Sequence, residues 1–522
     1  MDQPNNGSRL PRRAVLRGVM AAGVASGIVP AAAGSAIATP KPAATDWAAF
    51  DRLVQSAFDR FKLVGAAVTV VSSSDVLHTA TFGHRSLQSR RRVTPTTRFR
   101  VGSTAKSMTA ALAATYVDDM KFGWDTPVVD VWSKFRAPTS ALTQSIRVRD
   151  LFGMGTGLAE QLTTFEFPPG DWTPRQTVES IVNLEVQLAP ETKFIYNNTV
   201  FTLGGFLPFL ADGVAYEKLQ AAYATALQER ILDPAGMSGA SVGEDPRGVV
   251  DDYAVGCGLD LRLRPGELPF GTLGGFLPAG GTLAHIGDMA AWVQLQLREG
   301  LSVSGTRVVS AANLRECWRG HVGMDLYPPE AKERFDPDSL SLSYAMGWED
   351  KAYLGDVRFL SHNGFLDGFF SFIGFFPSHD LGFVVLTNTN LPNGGLLFGY
   401  VTELLLNQRF GLNQGTAEAL LGLADERLAE LASLGRQSSR PDRKTVAPWL
   451  GCYEGSLRLD WDGNDLVLTR DPRVFQVLAL PDGEYVFGSG IVVRTKLKLG
   501  RDPDGVPHLE IVGIGTFRRL VG

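Results

Sequence analysis

The sequence predicts an α+β fold: one antiparallel sheet with flanking helices, a mainly helical subdomain, and a small C-terminal β-barrel. Three observations carry this expectation. Strand-like runs at 65–71 and 76–82 are matched, far along the chain, by runs at 357–360, 369–376 and 381–387. The residues between them read as helices and loops, so strands from distant parts of the chain must share one sheet. Beyond residue 445 the pattern changes to short alternating runs separated by Asp-Gly and Gly-Asn turns, which would close into a small barrel or pack on the main domain.

The first 38 residues read as an address rather than as structure. Arg12 and Arg13 precede a Gly- and Ala-rich apolar stretch, and Ala36-Ile37-Ala38 supplies a small-x-small cleavage pattern. The paired arginines resemble a twin-arginine export signal, although Pro11 stands where that motif usually has Ser or Thr. The apolar run is shorter than the ~18 residues a spanning helix needs. The expectation is an exported protein, periplasmic or extracellular, with no stable membrane insertion once the signal is removed.

A helical stripe at 47–61 opens the first domain, expected over 45–410. The two strands 65–71 and 76–82 follow, joined by the turn Ser72-Ser73-Ser74-Asp75. Helices are expected at 106–118, 148–152, 173–183, 199–211, 216–232 and 286–297, and again at 396–407 after the late strands. Residues 411–444 read as a helical linker, rich in Ala, Leu and Glu before a polar break, and 445–522 as the barrel. Its expected strands include 456–460, 465–469, 490–495 and 508–513.

Composition excludes several classes of function. With 44% hydrophobic residues, 57 glycines and 29 prolines, the chain can bury a large core and is neither disordered nor fibrous. A net charge of -5 gives no basic footprint, so nucleic acid is not an expected partner. Cys257, Cys317 and Cys452 are scattered, form no CxxC pair, and read as three buried small apolar residues. No metal site or cofactor motif occurs, so neither is expected.

The sharpest local feature is Val101-Gly-Ser-Thr-Ala-Lys106 at the start of a helix. Residues three apart share a helical face, so Ser103 and Lys106 can hydrogen-bond, and burial would lower the lysine pKa until its amine accepts the serine proton. Lys106 is the only lysine with a serine three positions before it. The alternative is a capping serine beside a solvated lysine. Tyr196-Asn-Asn198 is the second element and the only Tyr-x-Asn among 11 tyrosines. A phenol beside an ammonium can pass a proton to a leaving group, and Asn198 can hold a substrate carbonyl. The alternative is a core tyrosine next to a helix-capping Asn198. The third element, His362-Asn-Gly364, shares its His-x-Gly pattern with His285 and His321. Position distinguishes it: His362 lies between two strand-like runs, where it could face Ser103, and Gly364 would let the backbone approach a substrate.

These three elements, in this order, resemble the Ser-x-x-Lys serine hydrolases: class C β-lactamases, D,D-peptidases, D-aminopeptidases and related esterases. The resemblance extends to Arg98-Phe-Arg-Val-Gly-Ser103, Val148-Arg-Asp-Leu-Phe-Gly-Met-Gly-Thr-Gly-Leu158, the segment 280–292, Tyr344-Ala-Met-Gly-Trp348 and the segment 361–368. It implies the β-lactamase/transpeptidase-like antiparallel sheet with an all-helical half, and a lipocalin-like C-terminal barrel. It further implies acylation of Ser103, with Lys106 and Tyr196 sharing base and acid duty. Asn198 would orient the substrate amide, and the backbone N–H groups of Ser103 and Phe365 would form an oxyanion hole. His362 stands where β-lactamases carry the lysine of Lys-Thr-Gly, which points away from efficient antibiotic hydrolysis and towards the peptidase and esterase branches. Met154 replaces a histidine common in relatives, so a contact near the nucleophile helix is expected to be lost. Aromatic residues crowd 365–376. They fit a sheet packed on both faces, and Phe365 or Phe369 would favour apolar acyl groups if either faced the cleft.

Three readings follow. The leading one is an exported hydrolase forming an acyl-enzyme at Ser103, acting on a small peptide with D-residues or on an ester. The second is an acyltransferase or thioesterase-like peptide cyclase. The third is a non-turnover protein that binds β-lactams or peptides.

Overall fold

The computed structural model describes residues 45–159, 172–325, 328–389, 392–490 and 493–520. The export signal expected at 1–38 lies outside the described residues.

The main sheet has eight antiparallel strands: β1 (Gly65–Val71), β2 (Val76–Gly83), β3 (Val322–Gly323), β4 (Ser339–Tyr344), β5 (Glu349–Tyr353), β6 (Val357–Leu366), β7 (Phe369–Phe376) and β8 (Leu381–Thr387). Their spatial order is β2-β1-β8-β7-β6-β5-β4-β3. The first strand of this sheet therefore pairs with its last in chain order, as the distant strand-like runs require. Strands β1, β7 and β8 are buried at every position, which explains their near-continuous apolar sequences. Alternation sorts the side chains of β8 into two layers. Phe383 and Val385 join Phe372 and Phe376 under helix α1 (Trp47–Arg60). Val384 and Leu386 join Ile373 and Phe375 on the opposite face, against helix α4 (Ile286–Leu297), in a core shared with helices α2 (Ala105–Asp118) and α3 (Asn198–Ala211). Each such side chain contributes about 1.5–3 kcal/mol on leaving water. The aromatic run is thus a sheet packed on both faces, and Phe369 is a core residue at 1% exposure.

Several elements differ from expectation. β4 and β5 have polar sequences, SLSLSY and EDKAY, and carry no alternating apolar signal. Their backbones are held by pairing with neighbours, and buried Lys351 is ion-paired to Asp336 at 2.7 Å. β6 continues past residue 360 to Leu366, so His362 and Gly364 lie within a strand. The helix expected over 216–232 is a 3-10 turn, an α-helix over Leu219–Leu227 and a π-turn. Of the strand expected at 490–495, Gly490 is a bend, Val493 and Arg494 form a turn and the strand begins at Lys496, while 491 and 492 lie outside the described residues. Cys452 is exposed rather than buried; Cys257 and Cys317 are buried, and burial drives both thiols up.

A second sheet of eight antiparallel strands spans 451–518. Leu459, Leu468, Phe475, Val477, Phe487 and Leu497 fill its interior. The backbone of Leu520 donates to Cys452 at 2.9 Å, bringing the last strand back to the first and nearly closing a barrel. The helix α5 (Leu396–Phe410) covers the main sheet, and α6 (Thr416–Gln437) follows it. Leu420 and Ala424 of α6 pack into the main-domain core, whereas Leu431 packs with Leu261, Leu480 and Val486 beside the barrel. The helix thus packs on the main domain at one end and beside the barrel at the other.

Candidate active site

Ser103 sits in a single 3-10 turn, Gly102–Thr104, immediately before α2, and no side chain caps this helix start. The turn is pinned from several sides. Val101 N–H donates to Thr282 at 3.1 Å, Thr104 Oγ1 donates to the Val101 carbonyl at 2.9 Å, and Ser371 Oγ of β7 donates to the same carbonyl. Trp292 Nε1 holds Ser107 Oγ at 3.0 Å one turn further on.

Two glycines let β6 press against this turn. Gly102 has φ +54°, and a Cβ there would lie 3.0 Å from the Phe365 nitrogen. A Cβ on Gly364 would overlap the Val101 carbonyl oxygen and Ser371 Oγ and lie 3.0 Å from the Ser103 nitrogen. The absence of a side chain at Gly364 thus lets the strand meet the Ser103 turn.

Lys106 is wholly buried. Its Nζ donates to Ser103 Oγ at 3.0 Å, to Asn198 Oδ1 at 2.8 Å and to the Ala279 carbonyl at 2.7 Å. The Tyr196 hydroxyl reaches the same serine oxygen at 2.8 Å, and Nζ lies 4.9 Å from the centre of the Tyr196 ring. The solvated-lysine alternative does not hold. Neither does a capping Asn198: the cap of α3 is Asn197, whose side chain accepts from Val200 N–H at 2.9 Å. Asn198, the first residue of that helix, is turned to Lys106 instead. Chemically, one serine oxygen is shared by an amine and a phenol, so its proton has two short routes of departure.

Met154 fills the place where a histidine was expected. It is buried with φ +56°, its Sδ accepts the Asn197 N–H at 3.1 Å, and its carbonyl accepts from Ile195 at 3.0 Å. The Tyr196 segment stays tied to residues 154–159, because Asn197 Nδ2 also donates to the Leu158 and Ala159 carbonyls.

His362 lies in the same neighbourhood but behind the cleft wall. It is 3% exposed, its Nδ1 is 2.6 Å from the Asn363 carbonyl, and its Nε2 is 2.8 Å from the Tyr344 hydroxyl. A carbonyl only accepts, so Nδ1 carries the hydrogen and Nε2 accepts from Tyr344. Burial, reinforced by the Lys106 charge, pushes its pKa down to about 3, and the ring is neutral. Tyr344 in turn meets the Tyr196 ring edge-on at 6.4 Å. His285 caps α4, accepting the Asp288 N–H at 3.1 Å, and His321 is half-buried with its pKa lowered to about 4 by desolvation and Arg149.

The cleft beside Ser103 is lined by Asn198, Phe276 and half-buried Phe365. Sequence reasoning missed three further residues of its wall: Arg100, Asp367 and, from the barrel, Arg473. Arg100 and Asp367 stand within quoted motifs without a chemical signal of their own, and nothing local to Arg473 indicates that it reaches the cleft. Among the described residues no three His, Cys, Asp or Glu side chains gather as metal ligands.

A family description named Beta-lactamase matches residues 50–406. The chain belongs to the beta-lactamase family. Like other members of that family it is a serine hydrolase, and it is similar to several characterised relatives. An unguisins hydrolase of Aspergillus campestris is 25% identical over 506 residues, covering 89% of this chain and 88% of that one. A beta-lactamase of Escherichia coli is 24% identical over 363 residues, covering 66% and 88%. Penicillin-binding protein 4 of Amycolatopsis lactamdurans is 24% identical, covering 75% and 93%. Among solved structures, a penicillin-binding protein homologue from Pyrococcus abyssi superposes with a TM-score of 0.58 at 19% identity, over 91% of this chain and all of that one. The beta-lactamase-family fold therefore extends over the sheet and helices described above.

Proposed function

We propose that this family member is an exported hydrolase that forms an acyl-enzyme at Ser103 and acts on D-residue-containing peptides or on esters. The observation that carries the chemistry is the shared Ser103 oxygen, 3.0 Å from Lys106 Nζ and 2.8 Å from the Tyr196 hydroxyl. Ser103 gives its proton to the Lys106 and Tyr196 pair as Oγ attacks the carbonyl carbon. The tetrahedral oxyanion is met by the backbone N–H groups of Ser103 and Phe365, brought together where Gly102 and Gly364 let β6 touch the nucleophile turn. Collapse expels the leaving group, which takes a proton through Tyr196, and water then releases the acyl group. Asn198, its oxygen held by Lys106, orients the substrate amide.

The peptidase branch is supported by His362, which is neutral and engaged with Tyr344 where the β-lactamases keep a cationic lysine. A relative named as a hydrolase of unguisins, similar over nearly the whole of both chains, supports turnover rather than passive binding. Export rests on the paired arginines and the Ala36-Ile37-Ala38 site. The test compares kcat/KM for acyl-D-alanyl peptides, their L-counterparts and simple esters. A preference of about tenfold or more for the D-series supports the peptidase reading. Equal rates on D- and L-peptides, with esters fastest, would replace it by the esterase reading.

A further inference from the structure

The cleft beside Ser103 has two guanidinium groups in its wall, and only one is ion-paired. Arg473, on the barrel strand Arg473–Ala479, donates from Nε at 2.9 Å and from Nη2 at 2.5 Å to Asp367 Oδ2, with both side chains 9% exposed. Gly271 lies so close to this pair that a Cβ would overlap the Asp367 carboxylate and come 2.5 Å from Arg473 Nη2. The loop carrying Gly271 is thereby clamped against the junction of barrel and main domain.

Arg100 is the other guanidinium. It is 2% exposed, and its Nη2 donates to the Gly271 carbonyl at 2.9 Å, while Nε and Nη1 have no hydrogen-bond partner. Among the described residues no carboxylate pairs with it. Glu244 accepts from Thr272 Oγ1 at 2.6 Å and from the Leu273 N–H, and Asp245 is ion-paired to Arg247. Burial dominates its environment and pulls its pKa below the usual arginine range. Asp367 and Glu244 act on it only through space, and a buried cation whose donors are left unfilled is strongly unfavourable. A guanidinium edge with two unused donors fits a planar carboxylate, which accepts two parallel hydrogen bonds.

We propose that Arg100, with the barrel's Arg473–Asp367 pair as the opposite wall, forms a carboxylate subsite, so that the preferred substrate carries a carboxylate on its acyl portion. The acyl side is indicated because the cleft runs from Ser103 past Asn198, the residue placed to hold the substrate amide, to Arg100. This inference rests on Ser103 being the nucleophile. It also gives the barrel a place in substrate selection, since it supplies one wall of the subsite.

The experiment uses the full chain and p-nitrophenyl monoesters of succinate, glutarate and adipate, each paired with the same compound whose free carboxylate is capped as a methyl ester. Ser103 acylation is read in parallel with a fluorophosphonate probe and intact-protein mass. The expected result is at least a tenfold higher kcat/KM for one free carboxylate over its capped partner. That preference should fall below about threefold in Arg100→Met and in Arg100→Lys, which keeps charge but loses the fork. Equal rates on every pair, with a normal probe adduct on Ser103, would overturn the subsite and leave the hydrolase reading intact. No adduct on Ser103 would overturn both. The comparison within the wild-type protein decides the matter even where a variant fails to fold.

Discussion

Tyr344 donates its hydroxyl hydrogen to Nε2 of His362 across 2.8 Å, and burial keeps that ring neutral. The folded-state pKa of His362, about 3, lies below its ordinary 6.5. The unfolded chain therefore binds a proton over that interval and the folded chain does not, so the stability from the neutral ring is complete above about pH 6.5 and is lost as pH falls towards 3. Thermal melts of the wild type and His362→Gln should converge between pH 7 and pH 4. Parallel curves would mean that His362 is not held neutral.

The opposite sign applies to Glu403, buried in α5, whose pKa is raised to about 8 by burial and by Asp336. Its contribution to stability is present below pH 4.5 and lost as pH rises through about 8. Glu403→Gln should lose less stability than the wild type between pH 5 and pH 9, measured as the change in denaturation midpoint.

Lys106→Met and Tyr196→Phe each remove one route for the serine proton. Each should lower kcat by about 10²–10⁴-fold, with KM changed far less, because the groups act on proton transfer rather than on binding. Steady-state kinetics check this. A fall confined to KM would assign both residues to substrate binding.

Gly364→Ala forces a methyl group into the Val101 carbonyl and Ser371 Oγ. The strand and the nucleophile turn must separate, which costs about 1–3 kcal/mol of stability and misplaces the Phe365 N–H. Urea denaturation should register the first effect and a loss in kcat the second. An Ala variant with normal stability and activity would remove the role given to this contact.

Much of this architecture was legible in the sequence because its signals are local. Apolar runs gave β1, β7 and β8, and Ser103, Lys106 and Tyr196 stand out by spacing and are brought together by the fold. β4 and β5 were not legible, because serines and charges occupy strands held by backbone pairing and a buried ion pair. The helix cap fell on Asn197 rather than Asn198, since Lys106 takes the Asn198 oxygen and that competition is invisible in the local pattern. His362 was read as facing the cleft, but a partner eighteen residues earlier in the chain, Tyr344, draws its ring away. Arg473 was invisible for the strongest reason: it acts through Asp367, 106 positions distant, across the junction with the barrel.

The most direct test of the central claim is the intact mass of the chain and of Ser103→Ala after reaction with a fluorophosphonate. A single adduct on the wild-type chain, mapped to Ser103, and none on the variant is the expected result. An adduct that persists in the variant, or none on either, would contradict it.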